Sequence, residues 1–357
     1  MNNRTELTDA INLKKPSRLP FTFDARGETK EILLKHLGLP EGADLAEHFK
    51  CNKFSSPWAA LGVSSSMPER MERLKAENPG EEISFWGITY QWQQAGDARY
   101  YEIARHPLAA AETVADIEAY NWPTPDDVIF PEIPNGFEKG DKVVVDHSHI
   151  CPFGLPWALR GMEQLMMDMV LNPEIVEAIV AKVEEYSLGC MKIMLEKYPG
   201  LVDLVGCGDD YGTQNGLLIG PDMVEKFFMP SLKRHYDLAA KHGVLGYHHS
   251  CGAIFNIIPQ FIEAGVKVLN PIQTSAVGMD PVKLKQEFGH DLCFHGGIDT
   301  QETLVTGTPE DVRAEVRERI DVLGPEGYIL APSHILQPDV PPENIVAMYD
   351  EACNYGK

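Results

Sequence analysis

Short apolar strands alternate with helical patterns over most of the chain, and this alternation constrains the fold more than any other feature. Strands are predicted to begin near residues 19, 142, 201, 244, 266, 292 and 327, each followed by a helix. Helix starts are marked by Asn172-Pro173, Asp280-Pro281 and Thr308-Pro309-Glu310-Asp311, and helix ends by Gly243 and Gly265. Short apolar strands separated by helices are typical of a parallel sheet.

The stretch from about 40 to 140 is less regular. Residues 83–92 have the aromatic and β-branched content of a hairpin, and residues 122–125 form a rigid, proline-rich connector. We expect this stretch to hold the eighth strand and a cap insertion. The predicted fold class is therefore α/β, a single (β/α)8 TIM barrel over 1–357 with an N-terminal extension or cap. An open doubly wound sheet is the alternative, but no Gly-x-Gly-x-x-Gly follows a predicted strand.

The charge balance limits the classes of partner. The 357 residues include 31 basic and 53 acidic side chains, a formal net charge of -22. Such a surface repels phosphate backbones and anionic headgroups, so we expect no nucleic-acid and no membrane partner. The first residues show no apolar leader, and the seven cysteines are odd in number and scattered, which favours a reducing, cytoplasmic location. The composition is compatible with a homodimer.

A candidate metal-binding site follows the strand that begins near residue 244. In an extended backbone, residues two apart point the same way, so His249 and Cys251 can direct a ring nitrogen and a sulfur to one point. Zinc takes such ligands, and a catalytic zinc has three protein ligands with one position open. The candidate third ligand is His334, because it too directly follows an apolar strand. The sequence leaves open whether His248 replaces His249, and whether a thiol supplies the third ligand, Cys207 or Cys293.

Other polar residues follow the predicted strands, where the active sites of barrel enzymes lie. Asp209, Asp210 and Tyr211 are the candidate catalytic residues, since a carboxyl or phenol near a metal can protonate or orient a leaving group. An equally good interpretation of the Asp209-Asp210 pair is a loop that caps the turn before Gly212. Asn270-Pro271 is interpreted as a plain turn.

Residues 205–352 resemble the uroporphyrinogen decarboxylase superfamily, whose members are single barrels. The chain is more similar to its corrinoid-dependent methyltransferase branch, in which zinc is held by His-x-Cys-Gly and by a Cys in Ala-Pro-Gly-Cys-Gly, shortly before Pro-x-Glu-Asn-Ile. The corresponding elements here are His249-Ser250-Cys251-Gly252, Ala331-Pro332-Ser333-His334 and Pro342-Glu343-Asn344-Ile345. His249 and Cys251 match directly, and His334 falls where the branch has its second thiolate.

The resemblance implies a zinc-dependent methyltransferase that moves a methyl group between a small methyl donor and a corrinoid. The donor would be of the methyl ether, methanol or methylamine type. A set of two imidazoles and one thiolate leaves zinc with a charge of about +1, a better Lewis acid than a two-thiolate site. We therefore expect Co(I) to take the methyl group, although the reverse direction stays open. The chain has no Asp-x-His-x-x-Gly corrinoid-binding element, so the corrinoid would arrive on a partner protein or free.

Two other functions are compatible with the family. Decarboxylation of a tetrapyrrole is the first, but true decarboxylases have an arginine-rich element on the first strand where this chain has Asp24-Ala25-Arg26-Gly27. A substrate with many carboxylates needs several guanidinium partners. The second is a non-catalytic barrel with a structural metal, for which four protein ligands and no open position are expected.

Overall fold

The structure is a computed structural model that describes residues 3–62, 66–95 and 98–355. Its strands are β1 (Phe54–Ser55), β2 (Glu82–Ile83), β3 (Thr89–Ala95), β4 (Ala98–Arg105), β5 (Val143–Ile150), β6 (Leu204–Gly208), β7 (Leu245–His249), β8 (Val266–Ile272), β9 (Cys293–Ile298) and β10 (Tyr328–Pro332). Its helices are α1 (Asn3–Ile11), α2 (Gly27–Leu37), α3 (Leu45–His48), α4 (Pro57–Leu61), α5 (Pro68–Glu77), α6 (Val114–Ala119), α7 (Gly154–Arg160), α8 (Met162–Leu171), α9 (Pro173–Lys197), α10 (Pro221–Phe227), α11 (Met229–Lys241), α12 (Ile258–Ala264), α13 (Pro281–Phe288), α14 (Thr303–Thr306), α15 (Pro309–Leu323) and α16 (Pro342–Tyr355).

Seven strands form one parallel sheet in the order β1, β5, β6, β7, β8, β9, β10. Residues 20–22 close it. On one side, the Thr22 amide donates to the Leu330 carbonyl at 3.0 Å and the Leu330 amide donates to the Pro20 carbonyl at 3.0 Å. On the other side, the Asn52 amide donates to the Phe21 carbonyl at 2.7 Å, just before β1. The ring therefore has eight positions, and the predicted (β/α)8 barrel is confirmed.

The eighth strand hidden in the irregular region is β1, which pairs in parallel with β5. It is only two residues long, which explains why no periodic pattern marks it. The region also contains the antiparallel sheet of β2, β3 and β4. Trp86 packs edge-on against Tyr186 of α9, with ring centroids 4.9 Å apart. These aromatic residues form a second hydrophobic core between the irregular region and the barrel helices.

Several helix limits follow the capping residues in the sequence. Thr308 forms a capping box with Asp311, and Asp280 accepts a hydrogen bond from the Lys283 amide. Gly265 ends α12 in the left-handed conformation. Between β6 and β7 the chain forms two consecutive helices, α10 and α11. None of the helices in the described part of the chain combines the length and the apolar character needed to cross a membrane.

A half-buried acid ties the amino-terminal end of the barrel together. Asp203, just before β6, accepts hydrogen bonds from Arg4 of α1 at 2.7 and 3.0 Å, from Lys139 at 2.8 Å and from the Val144 amide at 2.8 Å. Burial by itself opposes ionisation, but these donors outweigh it and hold the pKa of Asp203 below its ordinary value. Asp203 therefore fixes α1 at the amino-terminal end of the barrel, opposite the carboxyl ends of the strands.

We expect Asp203→Asn to lower the free energy of unfolding by about 2 kcal/mol at neutral pH, because charge-assisted hydrogen bonds to two cations are lost. A depressed pKa stabilises the folded state above the unfolded-state pKa of about 3.9 and loses this effect as the pH falls through the folded value. The difference between wild type and variant should therefore be full at neutral pH and shrink below about pH 4. Urea unfolding at several pH values measures it. Asp350→Asn, at an exposed position of α16, is the control, and equal effects of both variants would contradict the prediction.

Candidate functional site

The carboxyl ends of β6, β7 and β8 bring polar residues together at one rim of the barrel. Gly208 pairs with His249, and His249 pairs with Asn270. The residues that follow β6 therefore lie on one side of His249 and Asn270 lies on the other. This register decides which side chains can meet.

Three potential metal ligands meet at this rim. One ligand atom each from Asp210, His249 and Cys251 lies within 4.8 Å of the other two, and no other group of three such residues occurs in the described ranges. The Cys251 sulfur is 3.5 Å from His249 Nε2, and Asp210 Oδ1 is 3.7 Å from the same nitrogen. Two ligands of one tetrahedral zinc, at about 2.1 and 2.3 Å from it, lie about 3.6 Å apart. The spacing of His249 and Cys251 therefore fits a shared zinc ion.

Asn270 fixes the ring of His249. Its side-chain amide donates to the His295 carbonyl at 3.5 Å, and a carbonyl can only accept, so the amide oxygen faces the other way. That oxygen lies 2.8 Å from His249 Nδ1 and must accept a proton from it. The tautomer is thereby set, and the lone pair of Nε2 is directed at Cys251 and Asp210. Metal-binding histidines commonly have such a second partner.

The loop that carries Cys251 depends on two glycines. A Cβ on Gly252 would lie 2.6 Å from the Thr213 carbonyl oxygen, and a Cβ on Gly212 would lie 2.6 Å from the Cys251 carbonyl oxygen. Gly252 also has a φ of +85°, which side chains with a Cβ rarely adopt. Close backbone packing against the loop after β6 thus holds Cys251 in place. The Cys251 amide donates to Asp210 at 2.7 Å and ties the two candidate ligands together.

Burial raises the pKa of the Cys251 thiol to about 12, and the nearby Asp210 carboxylate contributes to this shift. A thiol in this environment keeps its proton when no cation is close. A divalent cation at the site would reverse that balance, because a coordinated thiol is deprotonated. The group is thus chemically suited to a bound cation.

Sequence reasoning did not decide between the two adjacent histidines, and the structure does. His248 is fully buried on the other face of β7, where its ring packs against Phe261 of α12 with centroids 4.1 Å apart. Both of its ring nitrogens lack a hydrogen-bond partner, and burial lowers its pKa to about 3. Side chains alternate along a strand, so His249 alone points to the rim.

The alternative thiols lie elsewhere. Cys207 is buried, and its sulfur is 3.7 Å from an Asp209 oxygen. Cys293 is buried in a hydrophobic cluster with residues of α1, at the opposite end of the barrel. Neither belongs to the group of three.

His334, the candidate third ligand, is not in that group either. It lies across the rim on the loop after β10, with an exposed ring whose Nδ1 is 3.4 Å from the Ile335 carbonyl oxygen. It does line both cavities that border the group. The structure therefore places it near the candidate metal centre without a contact to His249 or Cys251.

The three candidate catalytic residues have different environments. Asp209 is fully buried and accepts hydrogen bonds from the amides of Phe153 and Gly154, from Cys151 and from the Tyr211 hydroxyl, at 2.6 to 3.2 Å. Burial still raises the pKa of its carboxyl. Tyr211 stacks on Phe153, with centroids 5.2 Å apart. Asp209 and Tyr211 thus anchor the start of α7 and line neither cavity, whereas Asp210 is exposed beside Cys251.

Two cavities flank the candidate metal centre. The larger has a volume of about 1020 Å³ and is bordered by His249, Asn270, His295, the chain that follows residues 20–22 and the loop after β10. The smaller, of about 380 Å³, is bordered by Asp210, Cys251 and the loops after β9 and β10. Ser333, His334 and Ile335 line both. The centre therefore lies between two spaces that different molecules can enter.

A hydrogen-bonded chain forms the floor of the larger cavity, and sequence reasoning missed it. The Tyr247 hydroxyl is 2.9 Å from His295 Nδ1, and His295 Nε2 is 2.8 Å from the Thr22 hydroxyl. Burial lowers the pKa of His295 to about 3, and His249 contributes, so the ring is neutral. A neutral imidazole donates at one nitrogen only, so one of the two hydroxyls has its own proton free for a ligand in the cavity. The sequence signal was present, since all three residues lie on predicted barrel strands.

Residues 136–355 match the family model described as "Uroporphyrinogen decarboxylase (URO-D)". The chain is 24% identical over 234 residues to the methylcobamide:CoM methyltransferase MtbA of Methanosarcina mazei, covering 64% of this chain and 65% of that protein. It is 23% identical over 220 residues to MtbA of Methanosarcina acetivorans, covering 60% of each chain. The matches thus span less than two thirds of either relative.

A solved structure described as "methyltransferase from Methanosarcina mazei" shares the fold. It superposes with a TM-score of 0.63 at 16% identity, and the match covers 99% of this chain and 98% of the other. At this identity the likeness supports the barrel architecture alone.

We expect Asn270→Ala to weaken zinc binding about 10- to 100-fold, because His249 loses the partner that fixes its tautomer. Asn270→Asp keeps an acceptor opposite Nδ1 and should retain most of the affinity. Competition with a chromogenic chelator measures the zinc dissociation constant. Asn256→Ala, at an exposed position after the Cys251 loop, should leave it unchanged. An Asn270→Ala protein that binds zinc like wild type would show that Asn270 does not position His249.

Proposed function

Because the chain belongs to the uroporphyrinogen decarboxylase (URO-D) family, whose model matches more than half of its length, we propose that it is a zinc-dependent methyltransferase. It transfers a methyl group between a small methyl compound and a corrinoid that is free or carried by a partner protein. The observation that carries the proposal is the 3.5 Å contact of His249 Nε2 with the Cys251 sulfur, which has the spacing of two ligands on one zinc. The relatives named methylcobamide:CoM methyltransferase support the reaction class.

Asp210 is the third ligand that the geometry favours. Its carboxylate already lies near both His249 and Cys251, whereas His334, predicted from the sequence, has to cross the rim to reach them. An Asp, His and Cys set brings two anionic ligands and leaves zinc near neutral, while a set of two His and one Cys leaves it at about +1. Either set of three protein ligands would leave zinc with one open coordination position, as a catalytic zinc requires.

When bound, the zinc supplies Lewis-acid polarisation of the heteroatom that carries the methyl group. The protein residues do the rest. His249 and Cys251 would hold the metal at the rim, and Asn270 keeps the His249 ring in its binding orientation. The Tyr247, His295 and Thr22 chain offers one hydroxyl proton to a ligand oxygen in the larger cavity. His334 lines both cavities and can contact a molecule that enters either of them.

The larger cavity suits the corrinoid. Its volume of about 1020 Å³ is at the upper end of the range for small-molecule sites. Methyl transfer requires the donor atom, the methyl carbon and the acceptor atom in line, so the corrinoid and the rest of the methyl compound must lie on opposite sides of the methyl group. Two cavities that meet at the candidate metal centre provide such an arrangement.

Decarboxylation of a tetrapyrrole is the weaker alternative, for a reason visible in the larger cavity. The described residues of its lining include Lys30 and Lys53 but no arginine, and Lys53 is already paired with Asp44. A substrate with many carboxylates needs more cationic partners than this. Arg26, which follows the barrel-closing residues 20–22, is exposed and outside the lining.

The first test is metal content and activity together. We expect about one zinc per chain by elemental analysis, and methylcobalamin formation from cob(I)alamin and a panel of methyl ethers, methanol and methylamines. His249→Ala and Cys251→Ala should lose both the metal and the transfer, and a chelator should abolish activity that zinc restores. His290→Ala, at an exposed position distant from the rim, is the matched control. Activity that survives chelation would contradict the proposal and favour a metal-independent reaction.

The second test separates the two candidate third ligands. We expect Asp210→Asn to weaken zinc binding at least tenfold, roughly the loss of one charged ligand contact. His334→Ala should change zinc binding much less, and alter mainly the Michaelis constant. Cobalt(II) substitution reports the ligand set through its visible spectrum. A larger loss of zinc in His334→Ala than in Asp210→Asn would instead make His334 the third ligand.

A further inference from the structure

We infer that Gln273, which follows β8, is a positioning residue of the candidate metal centre. Its side-chain amide holds the loop that carries Cys251, so that the thiol stays beside His249 Nε2. The inference rests on the proposed function, since it takes His249 and Cys251 as ligands of one zinc ion. Gln273 acts through the loop and is not itself a ligand.

The loop that carries Cys251 has no regular structure of its own. β7 ends at His249, and the next helical turn begins at Phe255. Neighbouring segments of the rim therefore set the position of the Cys251 sulfur. The four successive amides 250–253 each donate to a group outside the loop: Ser250 to the Asn270 carbonyl at 2.7 Å, Cys251 to Asp210 Oδ1 at 2.7 Å, Gly252 to Gln273 Oε1 at 2.8 Å and Ala253 to the Thr213 carbonyl at 2.8 Å.

Two of these four acceptors are side chains, and only one of the two is free of the metal. Asp210 belongs to the group of candidate ligands, so the metal and the Cys251 amide share its carboxylate. Zinc takes nitrogen, sulfur and carboxylate ligands, so the neutral amide of Gln273 stays on the loop when zinc binds. Gln273 is therefore the side chain that holds this loop in both the metal-free and the metal-bound protein.

The orientation of the Gln273 amide follows from backbone groups at both ends of a short relay. The Gly252 N–H can only donate, so the Gln273 oxygen faces it. Gln273 Nε2 then donates to Gln214 Oε1 at 2.8 Å, and Gln214 Nε2 donates to the Ser275 carbonyl at 2.9 Å. A carbonyl can only accept, so both side-chain amides have one consistent orientation. The relay ties the loop after β7 to the loops after β6 and β8.

The metal centre is sensitive to small movements of this loop. Metal–ligand distances tolerate deviations of only about 0.2 Å. Without the Gln273 oxygen, the Gly252 N–H lacks its acceptor and the loop shifts to find another. The close contact of Gly252 with the Thr213 carbonyl limits the directions in which it can move. The sulfur then no longer keeps its 3.5 Å distance from His249 Nε2.

Zinc affinity tests the inference directly. Gln273→Met removes the acceptor but keeps the approximate size of the side chain, and we expect it to weaken zinc binding about tenfold. Gln273→Glu keeps the acceptor and loses only the donor to Gln214, so its loss should be smaller. Competition with a chromogenic chelator measures the zinc dissociation constant. In the cobalt(II) protein, the sulfur-to-metal charge-transfer band should weaken in Gln273→Met. Gln286→Met, at an exposed position of α13, should change neither quantity.

Amide hydrogen exchange of the metal-free protein supplies a readout that needs neither zinc nor turnover. Exchange of the amides 250–253 should become about fivefold faster in Gln273→Met, the equivalent of one lost hydrogen bond. It should remain unchanged in Gln286→Met. Thermal unfolding of all variants verifies that they fold, so that a global loss of structure is separated from a movement of the loop.

The outcomes separate this inference from the proposed function. Wild-type zinc affinity and an unchanged cobalt band in Gln273→Met, or an equal loss in Gln273→Glu and Gln273→Met, would overturn the inference even if methylcobalamin forms. The expected loss of zinc affinity, in a protein whose wild type transfers no methyl group from any donor, would support the positioning role and overturn the methyltransferase proposal.

Discussion

Closure of the parallel sheet is the constraint on which the rest of the structure depends. Residues 20–22 bind Leu330 on one side and Asn52 on the other, and these few hydrogen bonds turn a seven-stranded sheet into a barrel with eight positions. In a closed parallel barrel all strands end at one rim. Residues separated by more than a hundred positions in the chain, such as Asp210 and His334, therefore border the same small cavity.

Within that rim, one hydrogen-bond relay links strand pairing to chemistry. The His295 carbonyl orients the Asn270 amide, Asn270 sets the tautomer of His249, and His249 presents Nε2 to the Cys251 sulfur. Each step uses a group with only one possible role, because a carbonyl can only accept and an amide nitrogen can only donate. His295, in the floor of the larger cavity, differs from His249. Burial keeps its ring uncharged, and the ring lies between the hydroxyls of Tyr247 and Thr22. The candidate site thus contains two histidines with different roles. His249 presents an unprotonated nitrogen that can bind a metal cation, whereas the neutral His295 can only form hydrogen bonds.

The sequence predicted much of the architecture, and the differences have identifiable causes. Apolar strands and capping residues from 142 onward located most of the barrel, because both signals are local. The strands extend into polar sequence at their carboxyl ends: β8 continues to Ile272 and β10 to Pro332. Polar residues such as Asn270 stay in the strand because their side chains face the site rather than solvent. The interpretation of Asn270-Pro271 as a plain turn was wrong for that reason. The short strand β1 has no periodicity of its own and was found only through its partners.

The sequence by itself determined the alternating pattern, the capped helices and the pair of His249 and Cys251, because these depend on residues that are close along the chain. The tertiary structure decided which neighbours complete the site. It brought Asp210 within 3.7 Å of His249, left His334 across the rim, buried Asp209 and Tyr211 under α7, and assigned Asn270 to His249. Those choices depend on strand register and on the packing of glycine backbones between two loops. In a closed barrel the stagger of the strands is linked to their number and tilt, so the register at this rim depends on the whole barrel.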